Sequence, residues 1–362
     1  MSSSNAKLPL WTIIAPVISA AVLAAGMLGL AGGGIFIAVI AAALAASVFA
    51  AVHHAEVVAH RVGEPYGTLV LALAVTLIEV ALIVSLMLAG GEDAAALARD
   101  TVFAAVMIIL NGIIGLCLLV GGLKHSEQTF SLDGVSAALV ALGAIVVLTL
   151  VFPNYTVTTP GPYYSPSQLI LIAIVSLVIY GAFVFAQTIG HRGIFVPDDA
   201  AEAQQHTAPP SNGITAASAI LLLACLTAVV LLAKKLAPSL ETAVAHVGAP
   251  NAVVGVIIAA IVLLPEGLAA LRAARANRLQ TSLNLALGSA LASIGLTIPT
   301  VSLLSLYMQT KLALGIDTKS TVLLILSLFI TAIALRTGRT ILMHGIVLLV
   351  IFVVYLFTTV VP

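Results

Sequence analysis

Two glutamates lie deep in apolar runs: Glu79 in VGEPYGTLVLALAVTLIEVAL (62–82) and Glu266 in VGAPNAVVGVIIAAIVLLPEGLAAL (247–271). Each run begins VGxP and reaches its acid fourteen or sixteen residues past the proline. At 1.5 Å per helical residue, each carboxyl sits about 20–24 Å along its helix, well inside a hydrocarbon layer about 30 Å thick. No Lys or Arg occurs at comparable depth to pair with them. Something else must neutralise them, and the candidates are a proton, which low dielectric favours on a buried carboxyl, and a bound cation. The two exclude each other at one site. Such competition, joined to alternating access, is the minimal physics of cation/proton exchange, and two carboxyls can release two protons for one divalent ion.

Oxygen donors suit a hard cation, and calcium takes six or more of them. Thr76, Asn111, Asn284 and Ser289 are the nearest candidates to support the two glutamates. Pro265, directly before Glu266, and Pro299 remove backbone donors at membrane depth. A broken-helix site is therefore expected in the second half of the chain rather than the first, where no Pro or Gly stands between Gly67 and Glu79. A second constellation, HHAEVVAH, puts His53, Glu56 and His60 along one helical face. It lacks a fourth ligand and is not HExxH, so zinc is disfavoured. The readings left are interfacial residues without a role and a proton antenna whose imidazoles titrate near neutral pH. Cys117 and Cys225 sit in apolar runs and read as small buried hydrophobes.

The elements that hold these residues follow from composition. Of 362 residues, 61% are hydrophobic and 8% charged, a balance that no water-soluble domain covers with polar surface. The 14 basic residues match the 14 acidic ones, which argues against a nucleic-acid partner. A charge at the bilayer centre costs several kcal/mol, so charge-free intervals locate the helices. Two spans fit between Lys7 and Glu56, split at Gly32-Gly33-Gly34. Others run from Pro65 to about Gly90, Thr101 to Gly122, Gly134 to Phe152, and on to about Gly190 after a Pro- and Tyr-rich stretch (153–167). In that stretch Tyr155, Tyr163 and Tyr164 read as interfacial belt residues. Five more follow near 213–233, 249–271, 279–308, 320–335 and 340–360, which makes eleven.

The N-terminal MSSSNAKLPLW leads straight into the first span, so the mature chain is expected to begin near Met1. With that end inside, nine Lys and Arg fall on the cytoplasmic side, including Arg272, Arg275 and Arg278 as a topology anchor, and five fall outside. The expected protein is a multi-pass protein of the bacterial inner membrane with its C-terminus periplasmic. Glu79 and Glu266 fall in the third and eighth spans, and an odd separation makes their helices antiparallel, the footprint of an inverted repeat with its site near the midplane. The predicted architecture is all-α: an extra first helix (1–31), a five-helix repeat (32–190), a cytoplasmic linker (191–212) and a second, inverted five-helix repeat (213–362).

Three stretches resemble the cation/proton exchanger family of the calcium/cation antiporter superfamily, and within it the bacterial ChaA-type branch: AEVVAHRVGEPYGTLVLALAVTLIE (55–79), Gly115 to Ser131, and PEGLAALRAARANRLQTSLNLALGSALASIGLTIP (265–299). The resemblance implies one essential glutamate per half, falling on Glu79 and Glu266, a fold of one extra helix plus two inverted five-helix repeats, and export of cytoplasmic cation against protons. Where the family has Gly-Asn ahead of the first Glu, this chain has Val75-Thr76, and Val262-Leu263 stands at the matching place in the second half. The family's Gly-Ser and Ser-Asn in the fourth span appear as Ala104-Ala105 and Ile108-Ile109, while Gly288-Ser289 is kept. Fewer oxygens are then on offer than in a calcium exchanger, which leaves room for sodium or potassium. Asp198, Asp199 and Glu202 read as a solvated linker.

No P-loop or HExxH motif is present, so neither ATP-driven pumping nor intramembrane zinc hydrolysis has machinery here, and no cofactor is implied. The remaining rival is a passive cation channel with a carboxylate-lined filter. The partners expected are the transported cations, protons and the lipid bilayer.

Overall fold

A charge-free run of about 20 residues has one low-energy form in lipid, a helix that satisfies its own backbone N–H and C=O groups. The computed structural model describes residues 8–28, 33–63, 66–90, 95–190, 192–195 and 209–361. Within them lie eleven long helices: α1 (Leu10–Met27), α2 (Gly34–Val62), α3 (Tyr66–Gly90), α4 (Leu97–His125), α5 (Leu132–Tyr155), α6 (Pro166–Gly190), α7 (Asn212–His246), α8 (Ala252–Arg275), α9 (Leu279–Met308), α10 (Thr318–Leu335) and α11 (Leu342–Val360). Their number and order are those read from the charge-free windows. Asp198, Asp199 and Glu202 lie outside the described residues.

Local chemistry sets several starts. Ser165 and Gln168 form a reciprocal capping box at α6, with Pro166 in the first turn where its missing N–H costs nothing. Ser211 caps α7 through the Ile214 N–H, and Asp317 caps α10 through the Ser320 N–H.

The neighbours repeat between halves. α3 lies on α9 as α8 lies on α4, and α11 packs on α4 as α6 packs on α9. α2 and α7 pack on each other, with α1 laid against both. α4 and α9 are the most enclosed spans, and α1 and α11 are among the least.

Four details depart from the sequence reading. α7 does not stop at residue 233 but continues through Lys234, Lys235 and Pro238 to His246. Hydropathy limits how much helix lipid can cover, not where a helix must end, and Leu236, Ala237 and Val244 are buried beyond the lysines. The proline expectation also fails: α8 runs unbroken through Pro265, and the irregular turn at depth belongs to the first half, where α4 widens to a π-helix over Ile108–Ile113. Further π stretches occur at Val147–Val151 in α5 and Ala186–Gly190 in α6. Tyr155 is exposed, as a belt residue should be, but Tyr164 is 5% exposed and its hydroxyl donates to the Leu148 carbonyl in the α5 π turn at 2.6 Å. Burial raises its pKa, so the O–H stays available to donate. Finally, β1 (Glu127–Thr129) pairs antiparallel with β2 (Arg339–Ile341), Gln128 opposite Thr340, joining the α4–α5 and α10–α11 connections.

Candidate functional site

Glu79 is buried on α3, 5% exposed, with buried Thr76 one turn ahead of it on the same helix. Opposite stands α9, whose Ser293 hydroxyl donates to Glu79 Oε1 at 2.5 Å. Ser293 is itself 1% exposed. The hydrogen bond fixes one oxygen of the carboxyl from the facing helix.

Glu266 on α8 lies within coulombic reach of Glu79. Both of its carboxyl oxygens are buried with no hydrogen-bond partner among the described residues. A Cβ on neighbouring Gly267 would come within 3.2 Å of Ile113 on α4, so glycine lets α8 and α4 approach closely at this depth. Matching Gly288-Ser289 of α9 to Ala104-Ala105 of α4 sets Ser293 against Ile109, which is fully buried. Neither glutamate is ion-paired among the described residues. A carboxyl buried in a low-dielectric interior with few fixed donors can carry a proton or take up a cation, and the same oxygens cannot hold both.

The other sequence candidates divide. Ser289 is half-buried one turn before Ser293, on the same side of α9. Asn111 is fully buried in the α4 π turn, where Nδ2 donates to Ser327 Oγ on α10 at 2.9 Å and to the Met107 carbonyl at 3.3 Å, while Oδ1 is unpartnered. Asn284 accepts from Gln280 Nε2 at 3.0 Å, and Gln280 in turn accepts from the Ser131 N–H. Near the end of α2, Glu56 and His60 are exposed and Glu56 is within coulombic reach of Arg272. His53 instead turns its ring towards Trp11, with centroids 5.7 Å apart, and its Nε2 is buried without a partner among the described residues. The described residues hold no cluster of three or more His, Cys, Asp or Glu arranged for a metal ion. Cys117 and Cys225 are both buried and free.

Ser293 escaped the sequence reading. Its signal was present: it stands four residues after Ser289, one turn on along the same face.

The sequence signature of the sodium/calcium exchanger protein family matches residues 15–189 and 217–361. A Sinorhizobium fredii protein named as an ionic transporter is 47% identical over 360 residues, 99% of this chain and 98% of that one. The sodium-potassium/proton antiporter ChaA of Escherichia coli is 39% identical over 315 residues, covering 86% and 85%. The crystal structure of an H+/Ca2+ exchanger, CAX, superposes with a TM-score of 0.72 over 96% of this chain and 88% of that one at 14% identity, a likeness of fold.

Proposed function

Because the chain belongs to the sodium/calcium exchanger protein family, we propose that it is a secondary antiporter that exports cytoplasmic calcium, sodium or potassium in exchange for protons by alternating access. Glu79 and Glu266 bind cation or protons in competition. The observation that carries this reading is the pair itself: two carboxyls at membrane depth, within coulombic reach and without an ion-pair partner among the described residues. An isolated buried carboxylate is costly, so each acid holds a proton or shares a cation throughout the cycle. The Escherichia coli relative is named for sodium, potassium and protons, and the exchanger of like fold for calcium and protons, which supports this range of substrates.

Residues 32–190 and 213–362 are read as the two inverted repeats, 1–31 as an added helix and 191–212 as a cytoplasmic linker. The N-terminus lies in the cytoplasm and the C-terminus in the periplasm of an inner membrane. Ser293, Ser289 and Thr76 supplement the carboxyl oxygens. Asn111 and Asn284, whose amides engage Ser327 and Gln280, hold the frame around the site. Glu56 and His60 serve as a proton antenna, and His53 seats α1.

The test is flux in inverted vesicles carrying the protein. Calcium, sodium or potassium added to acid-loaded vesicles should collapse the proton gradient. Cation entry that leaves the gradient intact would favour the channel and end this reading.

A further inference from the structure

The C-terminal end of α8, two turns beyond Glu266, is gripped by side chains from the last turn of α4 and from the α4–α5 connection. Lys124 Nζ donates to the Arg275 carbonyl at 3.0 Å, and His125 Nε2 lies 3.1 Å from the same oxygen. Gln128 Nε2, on β1, donates to the Ala274 carbonyl and to Asn277 Oδ1, both at 2.9 Å. The last carbonyls of a helix lack the usual partner from a following turn; the Ala274 carbonyl accepts from the Asn277 N–H at 3.1 Å, and Gln128 adds a second donor to it. Gln128 is 2% exposed and fits a slot that only glycine leaves open: a Cβ on Gly121 would fall within 1.8 Å of its Oε1. The strand carrying it is itself tied to β2.

The opposite end of α8 is held differently. It enters from a turn with Gly248 in the left-handed region and meets α4 through Gly255, where a Cβ would come within 3.3 Å of the Asp100–Thr101 backbone. A smooth glycine contact can slide, and a hydrogen-bonded helix end cannot without exposing buried polar groups.

We propose that Gln128 is a positioning residue for Glu266: it fixes the C-terminal end of α8 to the α4–α5 connection, and α8 tilts about that end as the site changes its access. This rests on the exchange reading above. The grip stays closed throughout the cycle, so Glu266 changes exposure while keeping its distance from the fixed end.

The test uses the full chain with exposed Lys124 and Ala276 both changed to Cys, reconstituted and bridged by a short bifunctional thiol reagent. Bridging yield, read on a gel without any flux, should be the same with and without calcium and at acid and alkaline pH. A yield that changes with these conditions overturns the hinge even if no exchange is measured, and absent flux in the unmodified chain indicts the exchange reading instead. Where flux is present, the bridged protein should still exchange, and block on bridging that a reductant reverses would overturn the proposal. Gln128→Glu, which keeps the shape but loses the amide donors, should lower the maximal rate on the order of tenfold with little change in KM for cation. Bridging in that background should restore the rate. If Gln128→Glu does not fold, Gly121→Ala, which evicts Gln128 from its slot, is read the same way. A wild-type maximal rate in either folded variant would remove Gln128 from the role.

Discussion

Glu79 meets a hydroxyl on the helix opposite it, whereas Glu266 has no hydrogen-bond partner for either carboxyl oxygen among the described residues. The helices around them are related: α3 lies on α9 as α8 lies on α4. The differences include Ser289 and Ser293 on α9 against Ala105 and Ile109 on α4, and Thr76 ahead of Glu79 against Leu263 ahead of Glu266, together with a π turn that widens α4 and has no counterpart among the described residues of α9. One half-site is thus oriented by a fixed donor. The other has no hydrogen-bond partner for either carboxyl oxygen among the described residues. A repeated scaffold can hold two acids that are not equivalent in their protein partners.

The strongest way to break this comparison is to neutralise each acid. Glu79→Gln and Glu266→Gln should each lower vesicle exchange on the order of a hundredfold or more while leaving the folded yield unchanged. Robust exchange in either variant would show that the site is misassigned. Next in size is Ser293→Ala. It removes a donor to a buried carboxyl, worth about 1.5–3 kcal/mol, and should raise the KM for cation by about ten- to a hundredfold. The same change at half-buried Ser289 should do less.

The reciprocal substitution sharpens the contrast. Ile109→Ser puts a hydroxyl on α4 at the position that matches Ser293, and should lower the KM for cation several-fold, measured by titrating flux at fixed pH. Proton competition sets the pH dependence. As pH falls, KM for cation should rise with the maximal rate at saturating cation little changed, because protons occupy the same oxygens. The smallest effect belongs to the frame. Asn111→Leu removes the Ser327 contact and should cost about 0.6–1.7 kcal/mol of stability, read as a lower thermal midpoint in detergent with exchange retained.

Much of this architecture is legible in the chain because lipid makes charge expensive. The intervals between Lys, Arg, Asp and Glu, divided further at Gly32-Gly33-Gly34 and at the Pro- and Tyr-rich stretch 153–167, mark the eleven spans, and the shared VGxP entries single out the two acids. Features on which lipid places no demand are hidden. Nothing in the hydropathy of α7 distinguishes a helix that stops at Lys234 from one that continues to His246. The π turns at Ile108–Ile113 and Val147–Val151 involve no Pro or other breaker at their start; Asn111 within the first donates to the Met107 carbonyl one turn back, and Tyr164 reaches the Leu148 carbonyl of the second from beyond the helix. Ser293 is one hydroxyl among several in a helix of small residues, and only its partner on α3 sets it apart. The β1–β2 pair is three residues long on each side, too short for an alternating pattern to register.

Proton release on cation binding is the most direct measurement of whether the two acids hold protons or metal but not both. Purified protein in weakly buffered detergent should release protons when calcium, sodium or potassium is added, and the double variant Glu79→Gln/Glu266→Gln should release none. Saturable cation binding with no proton release across the pH range would contradict the account.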